Sequence, residues 1–523
     1  MAAKKKSGLP QPVAVIDIGS SAVRMVIAEI LADGTVRPLE NVQKPVALGK
    51  DVFVSHRISR TGQLQTLQVL EGFRDLMRQY DVKNYRAVGT SALREAADSE
   101  MFLDRIYMRT GIDVEVIEGI EENRLTFAAV HDVMGDRLGA REDALMIEVG
   151  AGNTEITVQR QGKVVMSHTL RAGSLRLLQE RGDARTDRRA SIRSLRTRVA
   201  NTADLLTREF EIGQIDNFVA MGADARFVAK QIGDQSRNGY AVIDVQRFQD
   251  FVGKLSLLGE DEIIDTYHVS YADAETLVPA LIVYSHFIEL TSPQRILVPM
   301  VSLRDGLLLE FAQMLSGKKH SDFSRQIVAN AEALGVKYHY DEVHAHHVTK
   351  VALQLYDFLQ DEHGLGSRER LLLEVAGILH DIGSFVATTG HHKHGQYLVE
   401  NSEIFGLRKN DLAIVGNVIR YHRRALPGEQ HAPYMSLSRV ERTIVCKQSA
   451  ILRVADALDR SHRQIARRVT FEREGDELIV MIGGHGDISL ERTVMPEKAD
   501  LFESVFGMNV SVRQAIGRAV NGS

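Results

Sequence analysis

Residues 147–155 read IEVGAGNTE. The run ALMIEV, 144–149, reads as a strand, GAGN as a turn, TEITVQR as a second strand and KVVMSHTL, 163–170, as a third. Taken alone, two glycines after an acid are either a plain hairpin or a turn whose backbone admits an oxyanion. The same pattern occurs earlier: VAVIDI, 13–18, then Gly19, then the alternating strand VRMVIAEI, 23–30. The two blocks align with Asp17 opposite Glu148 and Gly19 opposite Gly150, 131 positions apart (148 − 17). A repeat at that period predicts two similar domains facing each other across a cleft.

Between and after the repeats, strands alternate with helical patterns at 63–79, 121–134, 187–210, 275–290 and 305–316, so the first half is α/β with partly parallel sheets. From about 320 the pattern becomes almost purely helical: 341–361, 368–382, 392–402, 409–422 and 436–465. Residues 467–513 return to alternation and read as a small α+β cap. The expected division is a disordered tail (1–12), domain I (13–133), domain II (134–316), a helical domain (320–466) and the cap (467–523).

At 523 residues the chain exceeds one hydrophobic core. Its 44% hydrophobic and 25% charged residues are those of an ordinary globular protein, and a net charge of −5 argues against bulk nucleic-acid binding. The one cysteine, Cys446, excludes an intrachain disulfide and fits a reducing cytoplasm. No segment approaches the roughly 18 apolar residues that span a bilayer, so no membrane partner is expected.

Three motifs carry chemistry. In DIGSS, 17–21, glycine admits a phosphate close to the backbone, Ser20 and Ser21 can donate to it, and Asp17 can hold Mg²⁺. In GTSALREA, 89–96, Thr90 and Ser91 sit at a strand-to-helix switch, and Arg94 can fork a phosphate; a helix cap with a surface arginine is the competing account. In VEVIEGIEENRL, 114–125, a glutamate at the helix start could activate water, although the macrodipole alone favours acids there.

Two phosphate-cradling hairpins facing one cleft resemble the actin-like fold of sugar kinases and heat-shock ATPases. Together with LRDGLLL at 303–309, the ordered set is similar to the exopolyphosphatase and guanosine pentaphosphate phosphohydrolase family, over essentially the whole chain. The resemblance implies duplicated actin-like domains that remove terminal phosphates with Mg²⁺. It implies Glu121 as base and Arg94 on the terminal phosphate. Asp17 and Glu148 would hold the metal, and Gly19, Ser20, Ser21, Thr90, Ser91, Gly150, Gly152, Asn153 and Thr154 would line the phosphates. Family members often dimerise, so a homodimer is expected. The chain departs from the family at Ser21 and Ala22, at Glu148, Ala151 and Asn153, and at MGADAR, 221–226, where Asp224 is expected to repel a phosphate chain. Glu148 also reaches one methylene, about 1.5 Å, further than the family's aspartate.

Twelve of the 19 histidines fall between His339 and His462. His344, the pair His380-Asp381 and Asp456 each lie on a separate predicted helix and resemble the HD phosphohydrolase pattern; the resemblance implies that His391 and His422, which lie between them, could serve a second metal. Such mixed imidazole and carboxylate ligands suit Mn²⁺, Fe²⁺ or Zn²⁺, and a buried polar network or a polyanion-binding set is the alternative. Arg460, Arg463, Arg467 and Arg468 recur at spacings that share a helix face, and with Lys393, Arg420, Arg423 and Arg424 could form a track for a phosphate polymer. The expectation is therefore a phosphohydrolase acting on inorganic polyphosphate or guanosine pentaphosphate. The alternatives are a turnover-poor polyphosphate or alarmone sensor, or catalysis at the helical domain's own metals.

Overall fold

The computed structural model describes residues 11–135, 138, 142–179, 188–209, 212–235, 239–316, 323–423, 425–483 and 486–515. Of the expected tail, only Gln11 and Pro12 fall among these, and they open the first strand. The chain forms two compact units, Met1–Phe323 and Ser324–Ser523. Among the described residues no helix is long and apolar enough to cross a membrane.

The first unit holds two sheets. One contains β1 (Gln11–Ile18), β2 (Ala22–Ile30), β3 (Val36–Pro45), β4 (Asn84–Gly89) and β5 (Val114–Val116) in the order β3-β2-β1-β4-β5. The other contains β6 (Ala144–Val149), β7 (Thr154–Arg160), β8 (Lys163–Leu170), β9 (Asn217–Met221), β10 (Asp234–Gln235), β11 (Tyr240–Ile243) and β12 (Arg295–Pro299) in the order β10-β11-β12-β9-β6-β7-β8. In each, an antiparallel meander of three strands is followed by two parallel neighbours: β1 pairs with β4 and β4 with β5, as β6 pairs with β9 and β9 with β12. This is the duplicated actin-like arrangement expected from the repeat, with β10 and β11 added at one edge.

The repeat holds at the level of single hydrogen bonds. Gly19 N–H donates to Ala22 O at 3.0 Å, and Gly150 N–H to Asn153 O at 2.8 Å. A Cβ at either glycine would come within 3.2 Å of that same carbonyl, so both hairpins close tightest on a glycine. Each loop also feeds a helix start: Ser20 O accepts from Gly49 N–H at 2.8 Å, and Gly150 O from Ser174 N–H at 2.9 Å.

Strand β1 is apolar on both faces because both are covered. Ala14, Ile16 and Ile18 join Leu70, Phe73 and Phe102 on one side, while Val13 and Val15 meet Leu307, Leu308 and Phe311 on the other. The helix Leu303–Ser316, placed by sequence in domain II, therefore lies on the first sheet. Gly306 permits this approach: a Cβ there would stand 2.2 Å from Leu125 O of the helix Gly119–Met134. That contact gives LRDGLLL a packing role that its sequence position did not reveal.

In the second unit, helices Glu342–Phe358, Ser367–Leu379, His391–Glu400, Lys409–Tyr421 and Arg439–Ala457 surround one core. Strands β13 (Arg468–Glu474), β14 (Glu477–Gly483) and β15 (Asn509–Ala515) form a three-stranded sheet in that order. Leu478, Val480 and Phe502 share a single cluster with Val348, Leu373 and Val454, so the expected boundary at 467 marks a change of secondary structure inside one core.

Candidate active site and histidine cluster

A cavity between the two sheets of the first unit is bordered by both hairpin turns. Asp17, Gly19, Ser20, Ser21, Thr90, Ser91, Glu148, Gly150 and Asn153 line it, as the sequence predicts. Ser20 and Ser91 hydroxyls lie 3.0 Å apart, which brings the first loop and the strand-to-helix switch together.

Four expected residues fall elsewhere. Thr154 is fully buried and its hydroxyl donates to Ala172 O at 2.8 Å. Gly152 lies behind the loop, where a Cβ would meet Ser91 Oγ at 2.7 Å and the Phe53 ring at 2.6 Å. Arg94 donates to Glu122 Oε1 at 2.7 Å and to Ile117 O; Asn153, with its amide turned to satisfy both ends, accepts from Arg94 Nη2 at 2.9 Å. The arginine thus braces a carboxylate and the second loop. Glu121 is the main correction. Its two oxygens accept from Arg124 Nε and Nη2 at 2.8 and 3.0 Å, Arg86 lies 3.7 Å away, and Glu310 pairs with both arginines. Adjacent helical residues point about 100° apart; with Glu121 turned to Arg124, its neighbour Glu122 borders the cavity.

The cavity carries more charge than the motifs suggested. Arg24, Arg226 and Arg304 face Asp17, Glu122, Glu148, Glu155 and Asp224. Arg304 Nη1 is 3.3 Å and Arg24 Nη1 3.6 Å from Asp17 Oδ2. Arg304 Nε is buried without a hydrogen-bond partner. Burial pushes the Glu122 carboxyl up to about 7; Arg94 opposes this, and the charges of Asp17 and Glu148 add to it. Burial raises Glu148 as well, and raises Glu155 further through Glu122 and Glu148. Asp224 is pushed up to about 7 by burial and by Asp273. Near neutral pH that leaves the carboxyl about half protonated, which weakens the repulsion expected there. Strand register holds the signal for two missed residues: Arg24 pairs with Asp17 across β1–β2, and Glu155 with Glu148 across β6–β7.

Residues 26–315 match the model of the Ppx/GppA phosphatase family, and residues 328–483 match domain III of that family. The chain belongs to the Ppx/GppA phosphatase family. A Vibrio vulnificus relative named guanosine-5'-triphosphate,3'-diphosphate pyrophosphatase is 23% identical over 476 residues, covering 90% of this chain and 91% of its own. An Aliivibrio fischeri protein of the same name is 23% identical over 490 residues, covering 92% and 93%. An exopolyphosphatase structure from Cytophaga hutchinsonii is similar with a TM-score of 0.53 at 22% identity, covering 59% of this chain and 99% of that one.

In the region matching family domain III, the structure brings together all six histidines and aspartates singled out by sequence. His344, His380 and Asp381 form one group of metal-compatible donors, and Asp381, His391 and His422 a second. Asp456 Oδ1 lies 3.7 Å from His344 Nε2 and 3.9 Å from His380 Nε2. Burial disfavours a charged His344, but Asp456 and Asp459 outweigh it and push the ring up to about 9; burial and His380 push His422 down to about 3. Two neighbours were missed in the sequence: Asp459, 2.8 Å from His344 Nδ1, and Lys498, 2.5 Å from Asp456 Oδ2. The sequence carries no cue for Lys498, which arrives from 42 residues downstream.

The expected basic track is only partly assembled. Burial pushes His392 down to about 4, and the charges of His391, Arg420, Arg423 and Lys393 add to it. Arg460, Arg463, Arg467 and Arg468 do not share a helix face. The helix ends at Ala457, where Asp459 accepts from Gln464 N–H at 2.7 Å and turns the chain, and Arg468 begins β13. Arg424 lies outside the described residues.

Proposed function

We propose that the cleft of the first unit hydrolyses the terminal phosphoanhydride of inorganic polyphosphate or of guanosine pentaphosphate, with Glu122 as the base. The observation that carries this reading is Glu122 itself: a cavity-lining carboxyl held near neutral pH beside Asp17 and Glu148 and oriented by Arg94. A base poised near the working pH is efficient at taking a proton from attacking water. Arg24, Arg226 and Arg304 bind the phosphate charge, and Ser20, Ser21, Thr90 and Ser91 supply hydroxyl donors.

The donor set fits Mg²⁺: hard carboxylate oxygens from Asp17 and Glu148, in an acid cluster where Asp17 raises Glu122 and Glu148 and where a cation would relieve the repulsion. When bound, Mg²⁺ would screen the phosphate oxygens. A homodimer in a reducing cytoplasm completes the proposal; sedimentation of the full chain measures the first part.

The test is orthophosphate release from polyphosphate and from guanosine pentaphosphate with Mg²⁺, by wild type and Glu122→Gln. Release by the wild type that the variant lacks supports the reading. No release from either substrate would overturn it.

A further inference from the structure

The first unit has a second cavity, about 240 Å³, behind two helices that also border the cleft. In the helix Gly119–Met134, Glu122 lines the cleft and His131 lines the second cavity. In the helix Leu303–Ser316, Arg304 lines the cleft and Gln313 the second cavity. Each pair is nine residues apart (131 − 122 and 313 − 304). At about 100° per residue, nine residues make two and a half turns, so each helix shows one face to the cleft and the opposite face to this cavity. The two helices touch at Gly306 and Leu125. An occupant of the second cavity therefore meets both helices that place cleft residues, without entering the cleft.

The lining selects by chemistry. Phe323 and His131 give an aromatic wall, and one buried ring sets both: Phe127 meets Phe323 edge-on at 5.9 Å and stacks with His131 at 6.2 Å. Asp132 and Gln313 border the cavity, and among the described residues their side chains have no hydrogen-bond or ion-pair partner. Arg124 holds Glu121 and Glu310 through Nε and Nη2, and Nη1 is its remaining donor nitrogen. With two carboxylates, Asp132 and Glu310, against that one guanidinium, the cavity repels phosphate and favours an uncharged ligand. Pockets for drug-sized ligands span roughly 300–1,000 Å³, so this one suits a single fused ring system. A carboxylate accepts from two adjacent N–H groups, while guanidinium and amide groups donate to a ring carbonyl and ring nitrogen. Guanine is the nucleobase that carries both, with N–H donors on one edge and the O6 and N7 acceptors on the next.

We propose that this cavity is a regulatory site for an uncharged guanine base or nucleoside, bound by Asp132 at its N–H edge, by Arg124 Nη1 and Gln313 at O6 and N7, and by the Phe323–His131 wall. A ligand that bridges Asp132 to Gln313 ties the two helices together. It opposes the movement that substrate entry and product release need, so occupancy lowers turnover. Binding stands apart from the cleft chemistry; only the effect on turnover rests on the phosphohydrolase reading.

The test titrates guanosine, inosine and adenosine into the full chain by calorimetry. Guanosine should bind one per chain, about tenfold or more tighter than adenosine, with inosine, which lacks the N2 amine, between them. Its affinity should be unchanged in Glu122→Gln. It should weaken about tenfold or more in Asp132→Asn, an exposed position, and in Ala128→Leu, which fills the cavity. Thermal melts check that both variants are folded. In phosphate-release assays guanosine should lower kcat and leave KM unchanged, and Asp132→Asn should keep the basal rate and lose the response. No binding of guanosine, equal binding of guanosine and adenosine, or binding lost in Glu122→Gln and kept in Asp132→Asn would overturn the site. Guanosine that raises KM alone would overturn the regulation. A wild type that releases no phosphate counts against the cleft reading and leaves the calorimetry to decide this one.

Discussion

Glu122→Gln and Glu121→Gln differ by one residue and should fail in different ways. Glu122 borders the cavity, and Glu121 is locked against Arg124. Losing a general base lowers turnover on the order of 10²- to 10⁴-fold, or about 2.7–5.5 kcal/mol of barrier. Glutamine at 122 keeps a carbonyl for Arg94, so the fold and KM should change little. The wild type should also show an acid limb. With Glu122 near 7, kcat/KM falls tenfold for each pH unit below that value, and Glu122→Gln abolishes the limb. Mg²⁺ beside Asp17 and Glu148 would favour the ionised form, so the limb should shift to lower pH as Mg²⁺ saturates. Glu121→Gln instead keeps one carbonyl for Arg124 but removes the charge, leaving Glu310 as the carboxylate paired with it. Breaking a buried pair costs about 3–5 kcal/mol; the retained carbonyl and Glu310 make that an upper limit here. The expected result is a lower melting temperature and a modest loss of rate with the acid limb retained. Orthophosphate release at saturating substrate between pH 5 and 9, alongside thermal melts, separates the two. A Glu122→Gln enzyme with wild-type kcat, beside a stable and inactive Glu121→Gln, would refute the assignment.

Gly306→Ala should destabilise the first unit by about 3 kcal/mol, because its Cβ meets the backbone of Leu125 rather than a movable side chain, and thermal unfolding measures it. Asp224→Asn tests a linkage. A folded pKa near 7 against an ordinary 3.8 means the protonated form is favoured by folding; that stability is complete below about pH 4 and lost as pH rises through 7. The asparagine variant should therefore melt above wild type at pH 8 and show no such advantage at pH 4. Equal differences at both would remove Asp224 from the pH response. Thr154→Val should cost about 1–2 kcal/mol by stranding Ala172 O, with kcat/KM unchanged, since the hydroxyl points away from the cavity. A large fall in kcat/KM would return Thr154 to the phosphate site.

The local sequence determined the two hairpins. Their alternation, their acids and the glycines at 19 and 150 are short-range features, and a closing bond between a residue and its third neighbour forms whatever surrounds it. It also determined that His344, His380, Asp381, His391, His422 and Asp456 belong together, because residue type and helix order are both written in the chain. Only the tertiary structure decided which neighbour of a pair faces the cavity. Glu121 and Glu122 are chemically the same, and the helix phase that turns 122 into the cavity is set by Arg86, Arg124 and Glu310, the last from 186 residues beyond Arg124. The arginine periodicity after Asp456 was real in sequence, but the helix that would have aligned it stops at Ala457. A buried Asp459 there finds its partners in His344 and Gln464. Lys498 and Arg304 reach their aspartates by folding, across 42 and 287 residues. Charge pairing at such separations leaves no periodicity, so no reading of the chain alone could have assigned it.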